Sequence, residues 1–172
     1  MNSNVSIGLP APDFTLTDLE GVPHALKDYL GRIIILDFWS CECPWSERTD
    51  MELLRLYSSW GDQVRLLFIA SNANETGEQI RQTAQARRLP LVLLDPCQQV
   101  ADLYGAQITP QLFVVDSLGI LRYRGAFDDV TFRKRTPAQA YLKQAITALL
   151  AASPPNPVET PPYGCSIVRF AL

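Results

Sequence analysis

A chain of 172 residues suits one domain of ordinary size, long enough to bury a core and short for two. Its 15 basic and 18 acidic residues form no extended run of either sign, which argues against nucleic acid or an anionic membrane as partner, and no apolar stretch reaches the roughly 18 to 20 residues that cross a bilayer. Four cysteines, at 41, 43, 97 and 165, are too few for a disulfide scaffold and lack the paired spacing of a structural zinc site; with the polar start Met1-Asn2-Ser3-Asn4 they predict a soluble, cytosolic chain whose thiols are reduced at rest, with no metal and no cofactor.

From Asp13 to Asp18 apolar and polar residues alternate before the turn Leu19-Glu20-Gly21, which predicts an amino-terminal hairpin. Ile33 to Phe38 is a near-continuous, β-branched apolar run of the kind found in a central strand covered on both faces. Beyond it, Met51, Leu53, Leu54, Leu56 and Tyr57 recur at helical spacing, with Pro44 suited to the first turn and Gly61 to the stop, so Cys43 falls at a helix start. Val64 to Ala70 is a second buried strand. Thr76-Gly77-Glu78-Gln79 fits a capping box opening a helix that ends near Arg88. Leu91 to Leu94 is a short strand, Gln98 to Tyr104 a short helix closed by Gly105, and Gln111 to Val115 with Gly119 to Arg124 a tight hairpin. A last helix is expected from about Thr136 to Ala151.

Strands alternating with helices, then a closing hairpin and helix, give an α/β layer sandwich with a mixed central sheet over residues 1–152. Residues 153–172 change character. Five prolines between Pro154 and Pro162 cannot continue a helix, while the apolar Tyr163 to Phe170 is expected to dock on the domain.

The candidate chemistry lies in Leu36-Asp37-Phe38-Trp39-Ser40-Cys41-Glu42-Cys43-Pro44-Trp45-Ser46. A helix amino terminus favours a thiolate, because unpaired N–H groups and a partial positive charge converge there, and Cys43 sits at that point. Asp37 in an apolar strand is costly unless neutral or paired, and reads either as a general acid/base or as a hydrogen-bonded structural carboxyl. Trp39 and Trp45 are expected to flank the thiol and shape a substrate groove, with a place in the core as the other reading of Trp39. Cys97 follows Asp95-Pro96 and reads as a surface-turn cysteine. His24 belongs to the hairpin, and Arg133-Lys134-Arg135 to a solvated loop.

Asp37-Phe38-Trp39, followed after three intervening residues by Cys43 at a helix start, and Thr109-Pro110 just before a strand together resemble the thioredoxin superfamily. The resemblance implies a thioredoxin-like three-layer sandwich and places Thr109-Pro110 as the cis-proline loop facing the nucleophile. It also marks the departure: Ser46 occupies the position of the second motif cysteine. The Cys43-Pro44 pair, the LLDP stretch, Tyr104-Gly105, Tyr123-Arg124-Gly125 with Asp128-Asp129 and the terminal Gly164-Cys165-Ser166-Ile167 resemble a peroxiredoxin-like branch, the alkyl-hydroperoxide-reductase (AhpC/TSA) and redoxin group. In that branch a hydroxyl residue and an arginine assist a peroxidatic cysteine. Ser40 matches the hydroxyl, Leu36 replaces the expected proline, and Arg124 is the candidate guanidinium.

Without a thiol at Ser46, a mixed disulfide at Cys43 needs another resolving group. Cys41, Cys165 and an external thiol such as glutathione are the candidates. One intervening residue makes a Cys41–Cys43 ring small and strained. The tail beyond residue 151 spans up to roughly 50 Å when extended, against a domain radius of gyration of about 16 Å, so Cys165 can reach the site or else merely dock the tail. The leading expectation is a thiol-disulfide oxidoreductase acting on protein or low-molecular-weight thiols. A thiol peroxidase acting on hydroperoxides is the second. A third is a Cu(I)-binding or redox-inactive protein using Cys41, Cys43 and Cys165.

Overall fold

The computed structural model describes residues 5–170; the polar start at residues 1–4 and the last two residues lie outside them. The amino-terminal hairpin forms as expected, from β1 (Thr15–Asp18) and β2 (Pro23–Ala25). The apolar run forms β3 (Ile33–Trp39), buried along its whole length, and leads through residues 40–43 into α1 (Pro44–Trp60), which Gly61 stops at φ 58°. Next come β4 (Val64–Ala70), α2 (Gly77–Arg87), β5 (Val92–Leu94) and α3 (Gln99–Tyr104). Strand β6 (Ile108–Thr109), the hairpin β7 (Gln111–Val115) and β8 (Leu121–Gly125), α4 (Tyr141–Leu150) and β9 (Cys165–Ser166) complete the order. The capping box is present in full: Thr76 Oγ1 accepts from the Gln79 N–H, and the Gln79 side chain accepts from the Thr76 N–H.

Seven strands form one mixed sheet in the order β2-β1-β5-β4-β3-β7-β8. Strand β3 lies at its heart, parallel to β4 from Ile33↔Val64 to Trp39↔Ala70 and antiparallel to β7. Alternation along β3 divides its side chains between two cores. Ile33, Ile35 and Trp39 pack with Leu53 of α1, Ile80 of α2 and Ile146 of α4. Ile34, Leu36 and Phe38 face Val100 and Tyr104 of α3, together with Phe14 from the amino-terminal segment. Helices therefore cover both faces, and the sandwich has three layers.

The last helix begins at Tyr141, five residues later than the pattern predicts. The Asp129 carboxylate takes the N–H groups of Ala138 and Gln139, at 2.8 and 3.1 Å, and the Phe127 carbonyl takes that of Leu142. Those bonds hold residues 128–140 as a folded loop, so helical pairing starts only beyond them. At the β7–β8 turn, Asp116 Oδ1 accepts from Leu118 and Ile120, drawing Gly119 and Ile120 into the turn and delaying β8 to Leu121.

The proline-rich tail runs along the free edge of β8. There the Arg124 N–H donates to Val158 and the Arg124 carbonyl accepts from Thr160. Gly125, at φ 143°, permits this approach, since a Cβ there would sit 2.3 Å from the Thr160 carbonyl oxygen. Thr160 Oγ1 is fastened by the Tyr123 hydroxyl and the Ala126 N–H. Farther on, Ile167 is buried in the α3-side core. The Val168 N–H reaches Asn72 Oδ1, and its carbonyl accepts from Gln98. The stretch carrying Cys165 is thus clamped on both sides.

Candidate active site

Strand β3 carries the chain to the carboxyl edge of the sheet, where residues 40–43 turn into α1. Pro44 begins the helix without an N–H to leave unpaired, so the first free N–H groups of the turn belong to Trp45 and Ser46. The Cys43 N–H donates to Ser40 Oγ at 3.1 Å, and the Ser40 N–H to Ser46 Oγ at 3.4 Å. Ser46, fully buried, serves as a bracket for the turn rather than as a second thiol.

Cys43 is 3% exposed. Its Sγ lies 3.1 Å from the Thr109 carbonyl oxygen and 2.6 Å from the sulfur of Cys165, and the Thr109-Pro110 peptide is cis. Burial pushes the Cys43 thiol upward, but hydrogen bonds from Cys165, from the backbone N–H of Ser46, from Thr109 and from the N–H of Trp45 hold it below the ordinary thiol value. Cys165 moves the opposite way, to about 12, through burial first and then through its hydrogen bond to Cys43 and the charge there. The two shifts are opposed, so Cys165 holds its proton more tightly than Cys43 does.

Cys41 takes no part in this arrangement. Packed in the core beneath α1 and α2, its thiol is pushed up to about 12 by burial and by the neighbouring Glu75 and Glu42. Among the described residues no group of three or more His, Cys, Asp or Glu side chains is arranged to hold a metal ion, so the three-cysteine copper site does not assemble. Cys97 is exposed on the turn before α3. Arg124 does not reach the thiol, being taken by Glu159 and by the Val5 carbonyl.

Trp39 is a correction. Alternation along a strand covered on both faces turns it into the core, where it is 0% exposed; its Nε1 donates to Asp50 and its ring meets Phe68 edge-on. Trp45, on the first turn of α1, does flank the site. It lines an open cleft of about 430 Å³ with Arg48, Val130, Thr131, Phe132 and Arg135. Arg48 is held there by both oxygens of Asp128, at 3.1 and 2.7 Å.

Asp37 lies fully buried, and among the described residues neither of its oxygens has a hydrogen-bond partner. Burial, followed by the charges of Asp50 and Cys43, raises it well above the ordinary carboxyl range. The folded protein keeps a proton that the unfolded chain loses above about pH 4. Asp37 thus contributes its full stability below that point and loses it as pH rises, by up to about 1.4 kcal/mol per unit. In Asp37→Asn this slope disappears. Urea titrations at pH 5 and 7 are expected to show the variant gaining on the parent as pH rises; a constant difference would refute the assignment.

Two acids went unnoticed in the sequence. Asp50 accepts from Trp39 Nε1 at 3.1 Å and from Arg87 at 2.8 Å on the same oxygen, while its other oxygen is buried without a partner among the described residues. Glu75 accepts from the Ser40 hydroxyl, from the Glu42 N–H and from Asn72, fixing the turn from outside. Asp50 reads as an ordinary helix residue and Glu75 as a loop residue, and nothing in their neighbours hints at these partners.

The AhpC/TSA family model matches residues 7–124, more than half of the chain. The chain belongs to the AhpC/TSA family. The family match ends before the tail that brings Cys165 to the site. Among curated relatives, the thiol-disulfide oxidoreductase ResA of Geobacillus thermodenitrificans is 34% identical over 116 residues, 67% of this chain and 66% of that protein. ResA of Bacillus anthracis is 31% identical over the same shares. This AhpC/TSA chain thus spans about two thirds of the length of the curated relatives it matches.

Two solved structures resemble it nearly end to end. A hypothetical protein from Sinorhizobium meliloti 1021 has a TM-score of 0.89 at 28% identity, covering 98% of this chain and 97% of that one. An uncharacterized conserved protein from Geobacillus kaustophilus has a TM-score of 0.88 at 28% identity, covering 100% and 97%. The thioredoxin domain of a thiol-disulfide oxidoreductase from Bacteroides vulgatus, at 23% identity and TM-score 0.61 over 69% of this chain and 86% of that one, shares the fold of this AhpC/TSA member.

Proposed function

We propose that the chain is a thiol-disulfide oxidoreductase in which Cys43 is the nucleophile and Cys165 the resolving thiol, taking the place that Ser46 leaves empty. The observation that carries this reading is the 2.6 Å separation of the two sulfurs at the amino end of α1. In the first step the Cys43 thiolate attacks one sulfur of a substrate disulfide. A Cys43–substrate bond forms, the substrate S–S bond breaks, and the departing thiolate takes up a proton. In the second step the Cys165 thiolate attacks the Cys43 sulfur, forming the Cys43–Cys165 disulfide and expelling the second substrate thiolate. The substrate is reduced to two thiols while the protein dithiol is oxidised; the reverse sequence oxidises a dithiol.

Electrostatics orders the two steps. After burial, the causes that raise Cys165 all come from Cys43, as hydrogen-bond acceptor and as charge. A mixed disulfide removes that charge, so Cys165 becomes easier to ionise only once the first bond has formed. The hydroxyl of Ser40 is directed at Glu75 and Arg124 is engaged elsewhere, so peroxide reduction draws less support.

Two measurements test the reading. Treating the reduced protein with a linear disulfide is expected to remove two hydrogens and give one new link, Cys43 to Cys165, in a peptide map. The rate of Cys43 alkylation is expected to rise with pH and level off at a midpoint below the roughly 8.5 of a free thiol. A midpoint at or above that value, or a link that omits Cys43, would remove the reading.

A further inference from the structure

The nucleophile is covered by the protein's own tail, and the manner of covering resembles the binding of a peptide. Strand β9 pairs antiparallel with β6, placing Cys165 opposite Thr109 and Ser166 opposite Ile108. The Ile167 N–H donates to the Gln107 carbonyl at 2.8 Å. Backbone pairing of this kind is indifferent to side chains, so selectivity has to come from the pockets beside it.

Two such constraints flank Cys165. A Cβ on Gly164 would stand 1.9 Å from the Thr109 carbonyl oxygen and 2.7 Å from its carbon. Only glycine fits that position without moving the backbone. One residue earlier, the Tyr163 ring meets Trp45 edge-on at 4.8 Å, and its hydroxyl accepts from the Phe132 N–H at 3.0 Å.

Building on the oxidoreductase reading, we propose that Tyr163–Ser166 stands in for substrate. The slot bounded by β6, Pro110 and Trp45 binds an extended, cysteine-containing peptide of a protein disulfide, selecting glycine immediately before the cysteine and an aromatic residue before that. The tail has to lift out before such a peptide enters, so reaction of Cys43 with it is slowed by the fraction of time the slot is vacant.

The test uses the full chain. In a Cys165→Ser background, adding Gly164→Ala drives a methyl group against Thr109 and is expected to raise the alkylation rate of Cys43 at least about tenfold; an unchanged rate would overturn the covering role. The double variant is then offered the peptides Tyr-Gly-Cys-Ser and Tyr-Ala-Cys-Ser, each as a mixed disulfide with thionitrobenzoate. Attack by Cys43 joins it to the peptide and expels the coloured thiolate. The glycine peptide is expected to react at least about tenfold faster, because the alanine methyl meets the same carbonyl. Equal rates would overturn the selectivity and leave the oxidoreductase reading standing. A Cys43 that alkylates readily yet attacks neither peptide would overturn both. Ile167→Ala in the same background loosens the tail without altering the slot, and the same order of peptide rates is expected there; a reversed order would refute the proposal.

Discussion

Cys43→Ser is expected to lower disulfide exchange by more than about 10³-fold, while Cys97→Ser stays close to the parent. The asymmetry follows from what surrounds each sulfur. Hydrogen bonding with Cys165, with Thr109 and with the first free N–H groups of α1 outweighs burial and holds the Cys43 thiol below its ordinary value. A serine hydroxyl in the same place holds its proton far more tightly than a thiol and is a weak nucleophile without activation. Cys97 sits on an exposed turn. The measurement is the rate of reduction of a chromogenic disulfide by each variant, and equal rates would reject Cys43 as nucleophile.

The second large effect is expected in Cys165→Ser. With the resolving thiol gone, the first step still takes place and its product persists, so the Cys43–substrate adduct accumulates and turnover falls at least about 10²-fold. The size reflects the tether: Cys165 lies on the same chain and returns to Cys43 without a bimolecular encounter, whereas without added thiol no other group resolves the adduct. The adduct is read by intact mass and mapped to Cys43. Adding glutathione is expected to restore part of the turnover. If release of substrate were as fast in the variant as in the parent, with no adduct detectable, an external thiol would be the resolving partner and the tail cysteine only a docking residue.

Much of this site could be read from residue pattern alone, and the exceptions have identifiable physical causes. Strand β3 and helix α1 were legible because a continuous apolar run and a proline at the next turn leave few alternatives. The approach of Cys165 was legible as reach, since an extended connector longer than the domain can bring its end to any face. Trp39 was not: in a strand buried on both sides, hydrophobicity cannot tell which face a ring occupies, and only its bond to Asp50 reveals the answer. Helix α4 starts later than its spacing predicts because Asp129 captures the backbone of Ala138 and Gln139, a competition that helical spacing does not register. Glu75 and Ser40 lie 35 residues apart, and their hydrogen bond exists only after β3 and β4 have paired side by side. Pattern spoke clearly for local elements and weakly for polar groups that meet across the fold.

Cys43 and Cys165 are 122 residues apart, and β9 follows every other strand and helix of the fold. On the ribosome, the reactive sulfur is therefore complete in its helix while its cover has yet to be translated. At about 5 to 20 residues per second, residues 151–165 take on the order of one to three seconds to make. For that interval each nascent copy presents Cys43 without its cover to whatever oxidants surround it.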